Sequence, residues 1–203
     1  MQNLGVFERQ WELALSLTFD RKRTSLVVID LQKGVAAIST QPYDTKTVIA
    51  NSVKLAKAFR QNQMPVFLVR VVRSEGTVLH TFADEAMPSR GELPKDWADI
   101  VPELGPEPSD VVITKRQWGA FYGTDLDLRL RRGDLDTIVL TGIATTYGVE
   151  STARFAYEYG YQQIFAEDAM SDRSAEAHKN AIEFVFRRIG RVRKTSEILQ
   201  ALN

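Results

Sequence analysis

Between Asp136 and Tyr157 the apolar period of the chain changes from that of a strand to that of a helix within a few residues. Ile138, Val139 and Leu140 form a short unbroken apolar run, the pattern of a strand buried on both faces. Gly142 interrupts the run, and a polar turn follows from Ala144 to Tyr147. From Gly148 the spacing becomes helical: Val149, Thr152, Ala153 and Ala156 recur every three or four residues. A strand therefore ends, turns tightly and feeds a helix. In parallel α/β sheets ligands bind at such strand ends, where helix N-termini offer backbone N–H groups and partial positive charge.

The same alternation runs through the chain. Thr24–Asp30 reads as a buried strand ending in a carboxylate, and Asp44–Gln61 as a helix capped by Asp44. Met64–Val72 and Val111–Lys115 read as further strands, the latter ending in lysine. Phe121–Arg132 is expected to be a short helix, Gln162–Asp168 a strand, and Ser174 the cap of a helix reaching about Ile189. Arg191–Arg193 is expected at a sheet edge, with a last helix from Thr195, that threonine its cap, to Leu202. Strands alternating with helices predict an α/β fold: a doubly wound, mostly parallel sheet of about six strands with helices on both faces. Residues 1–23 read as an N-terminal arm, with Leu4, Phe7, Trp11, Leu13, Leu15 and Leu17 before the charged run Asp20–Arg23. The arm either packs on its own domain or contacts another subunit. Residues 24–203 form the domain. Five of the seven prolines fall between Pro88 and Pro108, so residues 73–109 read as a long loop of functional type.

Composition excludes several classes. Lys and Arg number 26, as do Asp and Glu, so no global field favours nucleic acid or an anionic membrane. No apolar run approaches the ~20 residues that span a bilayer, and the N-terminus lacks a secretory pattern. A cytoplasmic location is the default expectation. With no cysteine in 203 residues, disulfides, thiolate metal sites and thiol catalysis are all absent.

Asp30, Lys115 and the turn 142–148 share one structural address, the carboxyl ends of expected parallel strands. Placed together in a partly dry crevice, a carboxylate and an ammonium make a tunable acid–base pair. Backbone N–H groups at the start of the 148 helix would stabilise a developing negative oxygen. Taken singly, Asp30 reads as a helix or turn cap and Lys115 as a surface salt bridge; together with the turn, at three strand ends, they read as functional. Trp118 and Phe121 are either an apolar wall of the crevice or plain core. Tyr147 either bonds a ligand or covers the turn, and Arg73 is either a carboxylate clamp or a solvent-facing ion pair. Gln32 and Arg116 read as holders of the strand-end loops. His80 and His178 read as surface or satisfied residues, with His80 able to face the crevice from the loop.

Val28–Gln32, Thr114–Arg116, Ala120–Leu126, Leu140–Thr145 and Val149–Ala156 occur in an order and spacing that resembles the isochorismatase-like hydrolase superfamily. The resemblance runs from about Thr24 to Leu202. It implies an Asp–Lys–Cys triad in most members, with Asp30 and Lys115 matching two of its parts and Gly148 standing where the cysteine would be. It implies a cis peptide before Ala144 that aims amides at an oxyanion. Without a thiol the covalent amidase route is closed, and losing a nucleophile costs on the order of 10⁶ in rate where it works as a unit with its base. Ser151 and Thr145 are hydroxyls nearby, but neither occupies the nucleophile position. Nicotinamidases of this superfamily hold a metal with an Asp-x-His and a further His. Here Arg70–His80 has one histidine and no such spacing, so no metal and no cofactor are expected.

The superfamily also includes true isochorismatases, which lack the cysteine and hydrolyse a vinyl ether. That resemblance makes Asp30 the general acid, Lys115 a carboxylate ligand or a steadying charge, and Gly148 a residue that leaves room for the enolpyruvyl group and donates its N–H. Three readings stay open: a vinyl-ether hydrolase, a hydrolase of another small molecule through an activated water, and an inactive relative that binds a small molecule or another protein. The resemblance further implies a homo-oligomer, dimer or tetramer.

Overall fold

The computed structural model describes residues 17–18, 20–73, 82–84 and 92–202. Most of the N-terminal arm, much of the proline-rich loop and His80 lie outside the described residues. Strands β1 (Thr24–Ile29), β2 (Val66–Val71), β3 (Val111–Lys115), β4 (Thr137–Ile143), β5 (Gln162–Ser171) and β6 (Arg191–Arg193) form one parallel sheet in the order β3-β2-β1-β4-β5-β6. This is the doubly wound α/β fold expected of the sequence. Every residue of β1 is buried, as a central parallel strand requires.

Alternation along the strands sends side chains into two cores. Val27 and Ile29 join Leu126, Leu140, Val149 and Phe165 on one face of the sheet. Leu26 and Val28 join Leu55, Phe59, Val139 and Ile198 on the other. Helix α1 (Lys33–Ala36), which the sequence pattern did not reveal, follows β1. Helix α2 (Thr45–Gln61) is capped by Asp44, whose carboxylate accepts from the Thr47 N–H at 2.7 Å.

Two helix starts and one helix cap differ from expectation. Helix α3 spans Leu126–Arg132 rather than starting at Phe121. Gly123 takes φ +66°, and Thr124 Oγ1 accepts from the Leu126 N–H, so the chain is still turning there. The helix after β4 starts not at Gly148 but as a π-helical turn, Thr145–Val149, which runs into α4 (Glu150–Glu158). Helix α7 (Thr195–Leu202) is not capped by Thr195. That hydroxyl donates to Asp168 at 2.7 Å, while Glu197 accepts from the Lys194 N–H at 2.8 Å.

Between β5 and α7, helix α5 (Ala175–Asn180) is capped by Ser174 and continues as a π-helical segment, Ala181–Phe186, and then α6 (Arg187–Ile189). Strand β5 also runs three residues beyond the expected Asp168. Its register against β4 jumps, with Leu140 opposite Phe165 but Gly142 opposite Met170. The extra residues, including Glu167 and Asp168, bulge out of the ladder.

Candidate active site

The chain leaves β1 towards β2 and β3, and leaves β4 towards β5 and β6, yet β1 and β4 are neighbours. A crevice opens outside the carboxyl ends of two strands where winding reverses in this way. Asp30 follows the last residue of β1, and Ala144 the last residue of β4, so both stand at this crevice.

Asp30 has φ +54°, a left-handed conformation that an aspartate tolerates better than bulkier side chains do. Its N–H still bonds Val69 O at 2.9 Å, so the ladder persists while the carboxylate is turned out of the strand. Lys115 closes β3, two strands away, a gap of about 10 Å. Its long side chain crosses the end of β2, and Nζ donates to Asp30 Oδ2 at 2.7 Å and to Gln117 O at 3.1 Å. Lys115 is 1% and Asp30 6% exposed. Asp30 Oδ1 is buried with no hydrogen-bond partner among the described residues. Burial pushes the Asp30 carboxyl up to about 6, against the opposing pull of Lys115 and, more weakly, of Arg73. A buried ion pair is a poor way to gain stability. A polarised acid kept out of water is what it supplies.

Gly142 lets the two central strands meet at the crevice. It takes φ +123°, and a Cβ there would lie 2.0 Å from Ile29 O. The strand continues through it to Ile143, rather than breaking as the apolar run alone suggests. The Ile143–Ala144 peptide is cis, as the resemblance implies, and Ala144 is partly buried. Gly148 sits against the acid: a Cβ built on it would lie 3.1 Å from Asp30 Oδ2 and 2.8 Å from Ile29 Cγ2. The expectation that glycine here leaves room for a substrate group needs correction. Ile29 and Asp30 already crowd the position that the first side-chain carbon would take.

The amides at the helix start are also less available than expected. The Thr146 N–H goes to Asp172, those of Tyr147 and Val149 to Ala144 O, and that of Glu150 to Thr145 O. Asp172 holds both the Thr146 N–H and its hydroxyl at 2.7 Å, and its role in fixing the turn was not foreseen from sequence.

Trp118 and Tyr147 meet edge to face at 4.9 Å between ring centroids, and both are exposed. Trp118 O lies 3.5 Å from the Cβ position of Gly148, which places this aromatic pair beside the crevice. Phe121 goes to the plain-core alternative, 5% exposed and packed on Tyr159 and Tyr161. Arg73 is exposed; its guanidinium is 6.0 Å from the centre of the Trp97 ring, and its charge reaches Asp30. Gln32 ties β1 to β2 as expected: its amide accepts from the Val71 N–H at 2.7 Å and donates to Val71 O at 2.9 Å. Arg116 is exposed. Thr145 is fully buried and bonded to His178, itself buried rather than on the surface. A separate groove of about 480 Å³, lined by Thr146, Glu150, Ala177, Asn180 and Phe184 among others, contains neither Asp30 nor Lys115. Among the described residues no three His, Asp or Glu side chains converge as a metal site would require, and no helix is long and apolar enough to cross a membrane.

The architecture defines a doubly wound α/β protein, with the buried Asp30–Lys115 pair at the topological switch point. Residues 24–197 match the isochorismatase domain. The chain is 49% identical over 187 residues to the uncharacterized isochorismatase family protein YwoC of Bacillus subtilis (strain 168), covering 91% of this chain and 97% of that protein. It is 31% identical over 212 residues to the ureidoacrylate amidohydrolase RutB of Pantoea ananatis (strain LMG 20103), covering 92% and 85%. The structure of an isochorismatase family protein from Burkholderia thailandensis superimposes with a TM-score of 0.86 at 41% identity, covering 91% of this chain and 97% of that one. This chain belongs to the isochorismatase family of hydrolases.

Proposed function

We propose that the chain hydrolyses a small molecule by acid–base chemistry at Asp30 and Lys115, with a vinyl ether of the isochorismate type as the first substrate class to test. The observation that carries this reading is the buried Asp30 carboxyl, pushed up to about 6 and set against Gly148 in a chain without a thiol. An acid that must arrive protonated needs such a shift; near pH 7 roughly a tenth of the molecules hold the proton. Asp30 delivers it to the methylene carbon of the enol ether, leaving an oxocarbenium ion. Water adds to the oxygen-bearing carbon of that ion, returns a proton to Asp30, and the hemiketal collapses to a ketone and an alcohol. Lys115 already spends two donors on Asp30 and Gln117 O, which suits it to steadying the carboxylate more than to clamping substrate. Trp118 and Tyr147 form the apolar wall, Ala144 and Gly148 line the floor, and Arg73 attracts the anionic end of the substrate.

The test is pyruvate release from isochorismate by the purified protein, with Asp30→Asn as control. Turnover should rise as pH falls from 8 towards 6 and vanish in the variant. Absence of turnover between pH 5 and 8, or equal turnover in Asp30→Asn, would exclude this reading. A second reading, hydrolysis of a ureido or amide compound through an activated water, is favoured by the 31% identity to RutB. Hydrolysis of ureidoacrylate in the parallel assay would select it.

A further inference from the structure

Behind the turn that carries Gly148 lies a polar cluster that the acid–base pair does not use. His178, on α5, is 3% exposed, and its Nδ1 lies 2.9 Å from Thr145 Oγ1. Its Nε2 has no hydrogen-bond partner among the described residues but faces Glu167 Oε1 at 3.6 Å. That Glu167 oxygen also accepts from the Tyr43 hydroxyl at 2.9 Å, and the other accepts from Lys194 Nζ. Burial alone would raise the Glu167 carboxyl; His178, Lys194 and Tyr43 outweigh it and hold it at about 2, so Glu167 is an anion. At 3.6 Å the pull of His178 is electrostatic rather than a full hydrogen bond. The β5 bulge aims Glu167 at this point.

We propose that Glu167, His178 and Thr145 form a positioning relay for the site. The carboxylate keeps the imidazole proton on Nε2, Nδ1 accepts the Thr145 hydroxyl, and Thr145 so held keeps Gly148 seated against Asp30. The residue types are those of a hydrolytic triad, but Thr145 is 0% exposed, so its hydroxyl is out of reach of a substrate. Stability alone does not account for the arrangement either. A buried imidazole with one nitrogen short of a partner is a poorer filler than an apolar side chain. Placement next to the turn is what the relay supplies. Its effect on catalysis rests on the reading of Asp30 as the working acid, but its geometry does not.

The experiment uses the full chain, and its first arm needs no substrate. The chain has two histidines, so ¹⁵N imidazole spectra of wild type and His80→Gln assign His178 at once. In its neutral form His178 should be a single tautomer with its proton on Nε2. Mixed tautomers or an Nδ1 proton would overturn the relay. The second arm follows the Asp30 carboxyl by ¹³C titration. By freeing the turn that seats Gly148 against Asp30, Thr145→Val should move the Asp30 titration by about half a unit or more, and Thr145→Ser should restore it. An unchanged Asp30 titration in a folded Thr145→Val protein would reduce the cluster to a structural role and overturn the proposal. If wild type turns over a substrate, Thr145→Val should lower kcat about 10-fold with KM little changed. If it does not, the proposed reaction fails while the two spectroscopic arms still decide the relay.

Discussion

A glycine where relatives of this fold class are expected to carry a nucleophile invites the thought that restoring a cysteine would restore chemistry. The contacts at Gly148 argue otherwise. A Cβ there would approach Ile29 Cγ2 to 2.8 Å, and Ile29 is fully buried with a stiff β-branch. Gly148→Cys should cost about 1–3 kcal/mol by overpacking, read as a lower urea midpoint. The losses of Gly148→Cys and Ile29→Ala should be less than additive in the double variant, whose thiol, with Lys115 nearby, should be alkylated faster than that of the single one. Equal stability of wild type and Gly148→Cys would show that Ile29 yields freely. Gly142 is stricter, because backbone rather than side chain stands 2.0 Å from its Cβ position and its φ is +123°. Gly142→Ala should lose about 3 kcal/mol or more; a loss under about 1 kcal/mol would mean the β1–β4 contact relaxes.

At the scale of elements, the β5 bulge sets both Glu167 and Asp168. Asp168 Oδ1 accepts from the Thr195 N–H at 2.6 Å and from its hydroxyl at 2.7 Å, anchoring the start of α7. Arg21 donates to Leu202 O at 2.6 Å at the other end. Asp168→Ala removes two hydrogen bonds of a part-buried acceptor and should cost about 2 kcal/mol. Hydrogen exchange should then quicken in α7 while β1 and β4 stay protected; uniform exchange would show that α7 is held by packing alone. Helix bodies were legible from apolar spacing, as α2 shows. The start of α3, set by the local Thr124 hydroxyl, was not, nor were the start of α4 and the cap of α7, which depend on Asp172 and Asp168 reaching Thr146 and Thr195 across the fold.

For the whole molecule, burial of Asp30 at the switch point couples the site to stability. Its folded value, about 6, lies above the ordinary 3.8, so the folded state takes up a proton first as pH falls. This group therefore adds stability between about pH 6 and pH 4, by roughly 3 kcal/mol if the full shift is expressed. Glu167 has the opposite sign: held at about 2, it supports the fold above its ordinary 4.5 and loses that support as pH falls towards 2. Urea midpoints of wild type and Asp30→Asn at pH 4.5 and 7.5 isolate the first effect. The difference between the two proteins should shift in favour of wild type at the lower pH, and a constant difference would mean Asp30 is not buried as a charge.

Local pattern alone determined the alternation of strands and helices, the parallel sheet, and the strand-end positions of Asp30, Lys115 and the 142–148 turn. Those follow from the periods of apolar side chains and from residue chemistry, which are written in neighbouring positions. Tertiary structure decided the rest. Strand order places β1 beside β4 and sends Lys115 over β2 to Asp30, and packing closes Ile29 over Gly148. Phe121 is drawn into the core while Trp118 and Tyr147 meet outside it. His178, read from sequence as surface or satisfied, lies buried against Thr145 because a bulge in β5 turns Glu167 towards it. Such distances depend on residues far apart in the chain, and no local pattern carries them.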